Sequence, residues 1–347
     1  MKKNILAINS INYVRNKTIN NYLKRKNNLL EVNYKGNFFY KNINFLKTIF
    51  SDFDLILINW NSWSSFFMVK LINIFKNKPI IYDAYTLIYE DYTENKIKKN
   101  FLFDFFYRNI EKFIYSNCKI LITDTVVHKK KLQKLLKNKK EILTLNVSQR
   151  NLLLSKKKIN NSKIQLLHAG ADRKLHGINK MIYLIHKLPN NLKKNIHLKI
   201  ICNDYLNDYK NQITKLKCED QIRLIKPLSY KNYFKMIKNA DICMGLFGNT
   251  EKTESVVSNF IVTSANLGKV IITKKTKAAQ IYLNENMGIF LLKKPDELNF
   301  KNFIKKYLFS KKFQNKIKFK SKHVFLKNFE IENNLKRFEK QLKNFFN

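Results

Sequence analysis

The chain has 347 residues and carries 67 Lys and Arg against 25 Asp and Glu, a formal net charge of +42 at neutral pH, with 45% hydrophobic residues. That length accommodates two domains with a sizeable core, and the hydrophobic content excludes intrinsic disorder despite the charge. No apolar run approaches the ~20 residues that cross a bilayer, and the one that follows Lys3 is too short for a signal peptide.

In chain order, Ile5–Ile8 is an expected strand and Ile19–Lys26 a basic helix. Asp54–Ile58 is a buried-strand run, Phe66–Phe75 a helix stopped near Pro79, and Ile80–Tyr82 a strand ending at Asp83. Phe101–Ser116 is a helix and Ile120–Thr123 a strand ending at Asp124. The polar, basic stretch Gln149–Ser162 has little periodicity and suits a linker. The same grammar then repeats. Ile164–His168, Leu198–Cys202, Ile222–Ile225, Ile242–Leu246 and Val270–Thr273 are expected strands, and Tyr230–Ile237 and Glu254–Asn266 helices. Ile178, Met181, Ile182, Ile185 and Leu188 recur at helical spacing. The last helix places Ile331, Leu335, Phe338, Leu342 and Phe345 on one face. Short apolar runs alternating with helices imply parallel sheets. The expectation is two doubly wound, Rossmann-like α/β domains with an interdomain cleft: residues 1–155, residues 160–320, and a helix over 325–347 returning to the first domain.

Cys118, Cys202, Cys218 and Cys243 form no C-x-x-C pair, and no His stands near one at zinc spacing. A reducing, cytoplasmic compartment and no metal are expected. Basic residues are spread along the whole chain and form no single block, which points to a compositional bias. A field of several kT remains and suits a polyanion, an anionic membrane surface or a nucleotide-linked substrate. No G-x-G-x-x-G and no P-loop occurs, and the first strand is followed by Asn9-Ser10-Ile11-Asn12-Tyr13 without Gly. Six of the seven glycines lie between Gly170 and Gly288, so close approach of backbone to a ligand is expected in the second half. There Gly245-Leu-Phe-Gly248-Asn249-Thr250-Glu251 enters a helix whose N-terminus suits an anion.

Several segments resemble GT-B glycosyltransferases of the group-1 class, which use nucleotide-sugar donors. They are His168-Ala-Gly170-Ala-Asp-Arg173-Lys174-Leu-His176-Gly177; Ala240-Asp241-Ile-Cys-Met-Gly245-Leu-Phe-Gly248; and Asn259, Ala265, Gly268 and Val270-Ile-Ile-Thr273. In the first half they are Lys78-Pro79-Ile-Ile-Tyr-Asp83-Ala84-Tyr85 with Tyr89-Glu90, and Asp124-Thr125 with His128. The donor-site motif has diverged. The two Glu that the family carries eight residues apart correspond to Ser255 and Thr263, with Glu254 adjacent; its Pro-Asn-Lys is Ser258-Asn259-Phe260, and the Pro of its turn is Lys269.

The resemblance implies sugar transfer with retention of configuration from a UDP- or GDP-linked donor, no cofactor, and a cell-surface glycan or lipid-linked acceptor. It places phosphate binding at Gly170, Arg173 and Lys174. His176, at a helix start, suits either phosphate or a cap. Gly248, Asn249, Thr250 and Glu251 follow as donor contacts or ordinary caps, with Thr263 at the family's second Glu place. Asp83, ending a strand, is the candidate proton acceptor for the acceptor hydroxyl, against the commoner fate of a capping Asp. Glu254 is the candidate donor-sugar ligand, against a first-turn carboxylate. His128 is expected as a surface residue of a basic helix. The aromatic helix Phe101–Ile114 suits either a core helix or, with its flanking Lys, an interfacial one, and reversible salt-sensitive binding to anionic vesicles is expected near residues 96–115. The other readings are a basic nucleic-acid-associated α/β protein, for which no recognition signature is present, and a glycosyltransferase-like chain that has lost catalysis.

Overall fold

The computed structural model describes residues 2–9, 14–33, 50–60, 62–95, 100–146, 148–153, 163–171, 173–202, 206–294 and 296–346. It divides into two compact units, one of Met1–Asn146 with Leu335–Asn347 and one of Val147–Asn334. The boundary falls before Gln149, whose backbone bridges Glu330; the stretch 154–162 that was expected to link the domains lies outside the described residues, as does the turn at 10–13.

In the first unit the chain runs β1 (Asn4–Asn9), α1 (Val14–Lys24), β2 (Asn28–Asn33), β3 (Leu55–Ile58), α2 (Phe66–Lys76), β4 (Ile80–Asp83), α3 (Ile88–Asn95), α4 (Phe101–Ser116), β5 (Ile120–Thr123), α5 (Val126–Leu135) and β6 (Glu141–Thr144). All pairings are parallel, in the order β2-β1-β3-β4-β5-β6. The order reverses between β1 and β3. With right-handed crossovers, α1 therefore covers one face and the later helices the other. Side-chain alternation agrees. Leu6, Ile8, Ile56, Ile58, Ile80 and Tyr82 pack with Phe66, Val69 and Ile72 of α2 and with Ile114 and Tyr115 of α4.

The second unit repeats the plan: β7 (Ile164–Ala169), α6 (Ile178–His186), α7 (Asn190–Lys193), β8 (Ile196–Ile201), α8 (Leu206–Lys215), β9 (Ile222–Ile225), α9 (Tyr230–Asn239), β10 (Ile242–Met244), α10 (Glu251–Ser255), α11 (Asn259–Asn266), β11 (Val270–Lys274), α12 (Lys277–Tyr282), β12 (Ile289–Leu292), α13 (Asp296–Phe309), α14 (Lys311–Ile317) and α15 (Ser321–Asn328). The parallel order is β12-β11-β10-β7-β8-β9, with the switch between β7 and β10. Ile178, Met181, Ile182 and Ile185 of α6 are buried against this sheet, as their spacing predicts.

The last helix, α16 (Ile331–Phe346), belongs to the second unit up to Asn334 and to the first from Leu335. Its Phe338 and Leu342, with Ile5, Leu57 and Ile81 on the α1 side of the sheet, line an apolar cavity of about 290 Å³. At the rim Glu339 pairs with Lys26 at 2.5 Å and accepts from the Tyr22 hydroxyl.

Three features depart from the sequence expectation. The strands β2, β6 and β12 were not anticipated; each is a sheet edge, and β2 and β6 lack a continuous apolar run, whereas β12 (Ile289–Leu292) has one. The single helix expected over Glu254–Asn266 is two. Val256 is extended at φ −118° and ψ 157°, and Ser258 caps a fresh helix by accepting from the Ile261 N–H. The aromatic helix α4 is a core helix on one side only. Ile114 and Tyr115 are buried, whereas Phe101, Leu102, Phe103, Phe105 and Phe106 face solvent.

Candidate functional site

The second sheet's switch point lies between β7 and β10, where open α/β sheets bind ligands beyond the strand carboxyl ends. Two loops meet there: Gly170–Gly177 after β7 and Gly245–Thr250 after β10. They are joined by backbone, Phe247 N–H donating to His176 O at 3.0 Å and Gly248 N–H to Leu175 O at 3.1 Å. Gly177 is left-handed at φ +63°, and a Cβ on it would stand 2.5 Å from Gly248 N. A Cβ on Gly248 would stand 2.2 Å from Lys174 O. These glycines were expected to let a ligand approach; in the structure they let the two loops approach each other. The Phe247 and Gly248 N–H groups are thereby engaged within the protein.

Around this joint the second unit assembles most of the expected donor residues. Arg173 is half-buried, Lys174 and Asn249 exposed, and Thr250 half-buried. Thr250 accepts from Thr253 N–H at 3.1 Å and so caps α10. That helix has five residues, too few for a substantial dipole. The Glu254 carboxylate accepts from Lys277 N–H at 3.1 Å and pairs with Lys274 at 3.3 Å. Lys274 also donates to Asn249 Oδ1 at 3.0 Å and Gly248 O at 3.1 Å. Lys274 was missed by the sequence reading, although its place as the last residue of β11 was a signal, since strand carboxyl ends face the ligand side. Exposed Glu251 and the buried Lys252 open α10. Thr263 is not part of this group of contacts. It is buried in α11, where its hydroxyl donates to Asn259 O and accepts from Gln149 Nε2, both at 2.8 Å. Ser255 is likewise buried, donating to Glu251 O at 2.8 Å.

Two histidines lie beneath the loops. His168 Nδ1 is 2.7 Å from Met244 O and must donate there, which leaves Nε2 as a bare acceptor with no partner. Its ring meets His176 edge-on at 5.1 Å, and His176 fills the space a side chain on Gly170 would need. Burial holds His168 neutral, down to about 4, and burial together with His168 and Arg173 lowers His176 well below its ordinary range. His176 therefore carries no positive charge; the cations around the joint are Arg173, Lys174 and Lys274, the last paired with Glu254.

In the first unit the carboxyl edge holds a buried charged network. Asp83 is 0% exposed, and both its oxygens are engaged by Arg15, at 2.8 Å from Nε and 2.9 Å from Nη2. Arg15 also donates to Leu145 O at 2.8 Å and lies 4.8 Å over the Tyr85 ring. Burial pushes the Asp83 carboxyl up while Arg15 pulls against it; the two-point contact with a guanidinium keeps the pair ionic. His128 is not the surface residue expected. It is 0% exposed, with Nδ1 2.6 Å from Asp124 Oδ1 and Nε2 2.8 Å from Glu90 Oε2, and Lys131 closes the chain on Glu90. Two carboxylates on two ring nitrogens require both to donate, so the ring is an imidazolium. Burial opposes that charge, but Asp124 and Glu90 outweigh it and raise His128 to about 9. Burial likewise opposes ionisation of Glu90, but His128 and Lys131 hold it down to about 2. At the β1–β3 switch, Asn59 donates to Asn9 Oδ1 at 2.7 Å and to Asn20 Oδ1 at 3.1 Å. Among the described residues no group of three or more His, Cys, Asp and Glu is placed to hold a metal ion.

These features, two doubly wound units with a polar cluster at the second switch point, are those of the GT-B fold. The sequence matches no protein-family profile and no curated protein. Solved structures match over the whole chain. A sucrose-phosphate synthase from Thermosynechococcus elongatus superposes with a TM-score of 0.76 at 10% identity, covering 99% of each chain. Anabaena HepE in complex with UDP and glucose superposes at 0.70 and 10% identity over 99% of this chain and 100% of its own. A glycosyltransferase from Rickettsia africae superposes at 0.66 and 16% identity, covering 99% of each. At such identities the likeness is one of fold.

Proposed function

We propose that the chain is a glycosyltransferase that moves a sugar from a UDP- or GDP-linked donor to a cell-surface glycan or lipid-linked acceptor, in the cytoplasm. The observation that carries this reading is the cluster at the β7–β10 switch, where Arg173 and Lys174 lie in one of two interlocked loops and the Glu254–Lys274 pair is tied to the other through Gly248 and Asn249. Sugar transfer leaves negative charge on the departing diphosphate, and fixed cations at that point stabilise the transition state. Arg173 and Lys174 bind the diphosphate, and Lys274 orients Glu254 toward a donor hydroxyl. The neutral His176 offers one N–H donor at most. The solved structure of HepE with UDP and glucose, on the same fold, is in keeping with such a donor.

The reading assigns proton transfer elsewhere than Asp83. A carboxylate with no exposure and both oxygens on Arg15 is a structural anchor in this conformation. The role of proton acceptor, for which Asp83 was the candidate, passes to the departing phosphate of the donor, which lies next to the acceptor hydroxyl in a retaining transfer.

A thermal-shift screen against UDP, GDP, ADP and CMP with their sugars tests the reading, followed by donor hydrolysis assays on any hit. Stabilisation by one nucleotide with release of its sugar supports the enzyme. Stabilisation without turnover supports a chain that has kept the donor site and lost catalysis, and no stabilisation by any nucleotide rejects both.

A further inference from the structure

Two neighbouring helices of the first unit expose an apolar face that the catalytic reading does not use. On α2, Phe67, Leu71, Ile74 and Phe75 recur at i, i+4, i+7 and i+8, all exposed, with Phe75 at 89%. On α4, Phe101 is 81% exposed and Leu102 74%, and Phe103, Phe105, Phe106 and Phe113 follow. The two stripes meet where Phe67 stacks on Phe113, with ring centroids 6.0 Å apart and planes 9° from parallel. Behind them the helices are held to the sheet by Phe66, Val69, Ile72, Ile114 and Tyr115, so the exposed rings are not core residues awaiting burial. Single exposed hydrophobics need no explanation, but ten large ones on two adjoining helices exceed what a soluble surface carries without a partner.

We infer that the α2–α4 face docks on an anionic bilayer surface, its aromatic and aliphatic side chains entering the headgroup boundary. The choice of occupant follows from charge. The helices carry Lys70, Lys76, Arg108 and Lys112 among the apolar residues. Of their two acids, Glu111 is buried and accepts the Tyr89 N–H, which leaves Asp104 toward the surface. A second copy of the chain would bring another net charge of +42 to the same place, whereas an anionic leaflet neutralises it. Apolar burial plus attraction to anionic lipid is how an interfacial face binds without crossing, and among the described residues no helix is long and apolar enough to cross. The sequence reading placed such contact near residues 96–115. The structure adds α2, which supplies nearly half of the exposed apolar side chains, and residues 96–99 lie outside the described residues. This inference is independent of whether the chain transfers sugar.

Co-sedimentation of the full chain with phosphatidylcholine vesicles, with and without phosphatidylglycerol, at low and high salt, is the test. Binding to the anionic vesicles, weakened by salt, is expected. The triple variant Phe75→Ser, Leu102→Ser, Phe106→Ser should lose at least about tenfold of that binding while its circular dichroism is unchanged. The single variant Phe75→Ser, at a position 89% exposed, should lose a measurable part and guards against misfolding of the triple. Equal binding to neutral and anionic vesicles, no binding at low salt, or full binding by both variants would overturn the inference. So would a lipid-free dimer of the wild-type chain that the triple variant dissociates, since a second copy would then own the face.

Discussion

At the carboxyl edge of the first sheet the charged side chains neutralise one another inside the unit: Arg15 on Asp83, and Asp124, His128, Glu90 and Lys131 in a chain. At the corresponding edge of the second sheet the buried ionisable rings, His168 and His176, are neutral, while Arg173, Lys174, Glu254 and Lys274 lie at least partly toward solvent. The same topology thus carries two kinds of polar edge. In the first, charge is consumed in holding strand ends and helices together; in the second, the charged side chains, the Glu254–Lys274 pair among them, stay at least partly open to solvent. Substitutions should separate the two, costing stability at the first edge and binding at the second.

The largest effect is expected from Arg15→Ala. It strands the Asp83 carboxylate in the interior, and removing one member of a buried pair costs about 3–5 kcal/mol. Urea denaturation measures it, and a loss below about 1 kcal/mol would mean that the pair contributes no more than a surface bridge. Nucleotide affinity of the folded fraction should be untouched.

Next comes pH. His128 has its folded value raised to about 9 from 6.5, so its stabilisation is complete below 6.5 and disappears as the pH rises to 9. A shift of that size corresponds to about 3 kcal/mol. Glu90, lowered to about 2 from 4.5, works in the opposite sense: its contribution is complete above 4.5 and lost as the pH falls toward 2. Thermal melts across this range should show a decline from 6.5 to 9 that belongs to His128 and a decline below 4.5 to which Glu90 contributes; between them the lowered His168 and His176 and Glu111, raised to about 7, act in opposite senses. His128→Gln should remove the decline above 6.5, and a variant that retains it would assign the titration to another group.

The contrast between the edges was only partly legible in the sequence. Continuous apolar runs such as Leu55–Ile58 and Ile120–Thr123 marked the central strands, because a strand buried on both faces has no polar alternation. The edge strands β2 and β6 lacked that signal, whereas β12 carried it in Ile289–Leu292 and was passed over. The Gly245–Glu251 segment was visible as a loop of interest, yet what its glycines do depended on the loop 70 residues earlier, and no local pattern encodes that meeting. His128 was misplaced for the same reason. Its near partner Asp124 is four residues away, but Glu90, which completes its burial, comes from a different helix. Asp83 was singled out correctly as a strand-end acid, while its partner Arg15 lies 68 residues away.

Gly248→Ala should have an intermediate effect. A methyl 2.2 Å from Lys174 O forces the two loops apart, at about 1–3 kcal/mol on the usual scale for overpacking. Because Lys174 lies in the displaced loop, nucleotide affinity should fall with stability. A variant that loses stability and keeps full affinity would detach the loop joint from the donor site. Smallest in stability is Glu254→Gln, whose ion pair with Lys274 is about a third exposed on the acid side and so contributes less than about 1 kcal/mol. Its effect should appear instead as a raised KM for the donor in steady-state kinetics, and an unchanged KM would remove Glu254 from donor binding.

The measurement that tests the central claim most directly is isothermal titration of UDP and GDP into the wild-type chain and into Arg173→Ala, Lys174→Ala and Arg15→Ala. The account predicts that one nucleotide binds, that loss of Arg173 weakens it by about 1.5–3 kcal/mol, the scale of a charge-assisted hydrogen bond, and that Arg15→Ala binds as wild type while folded. Undiminished affinity in both Arg173→Ala and Lys174→Ala would contradict it.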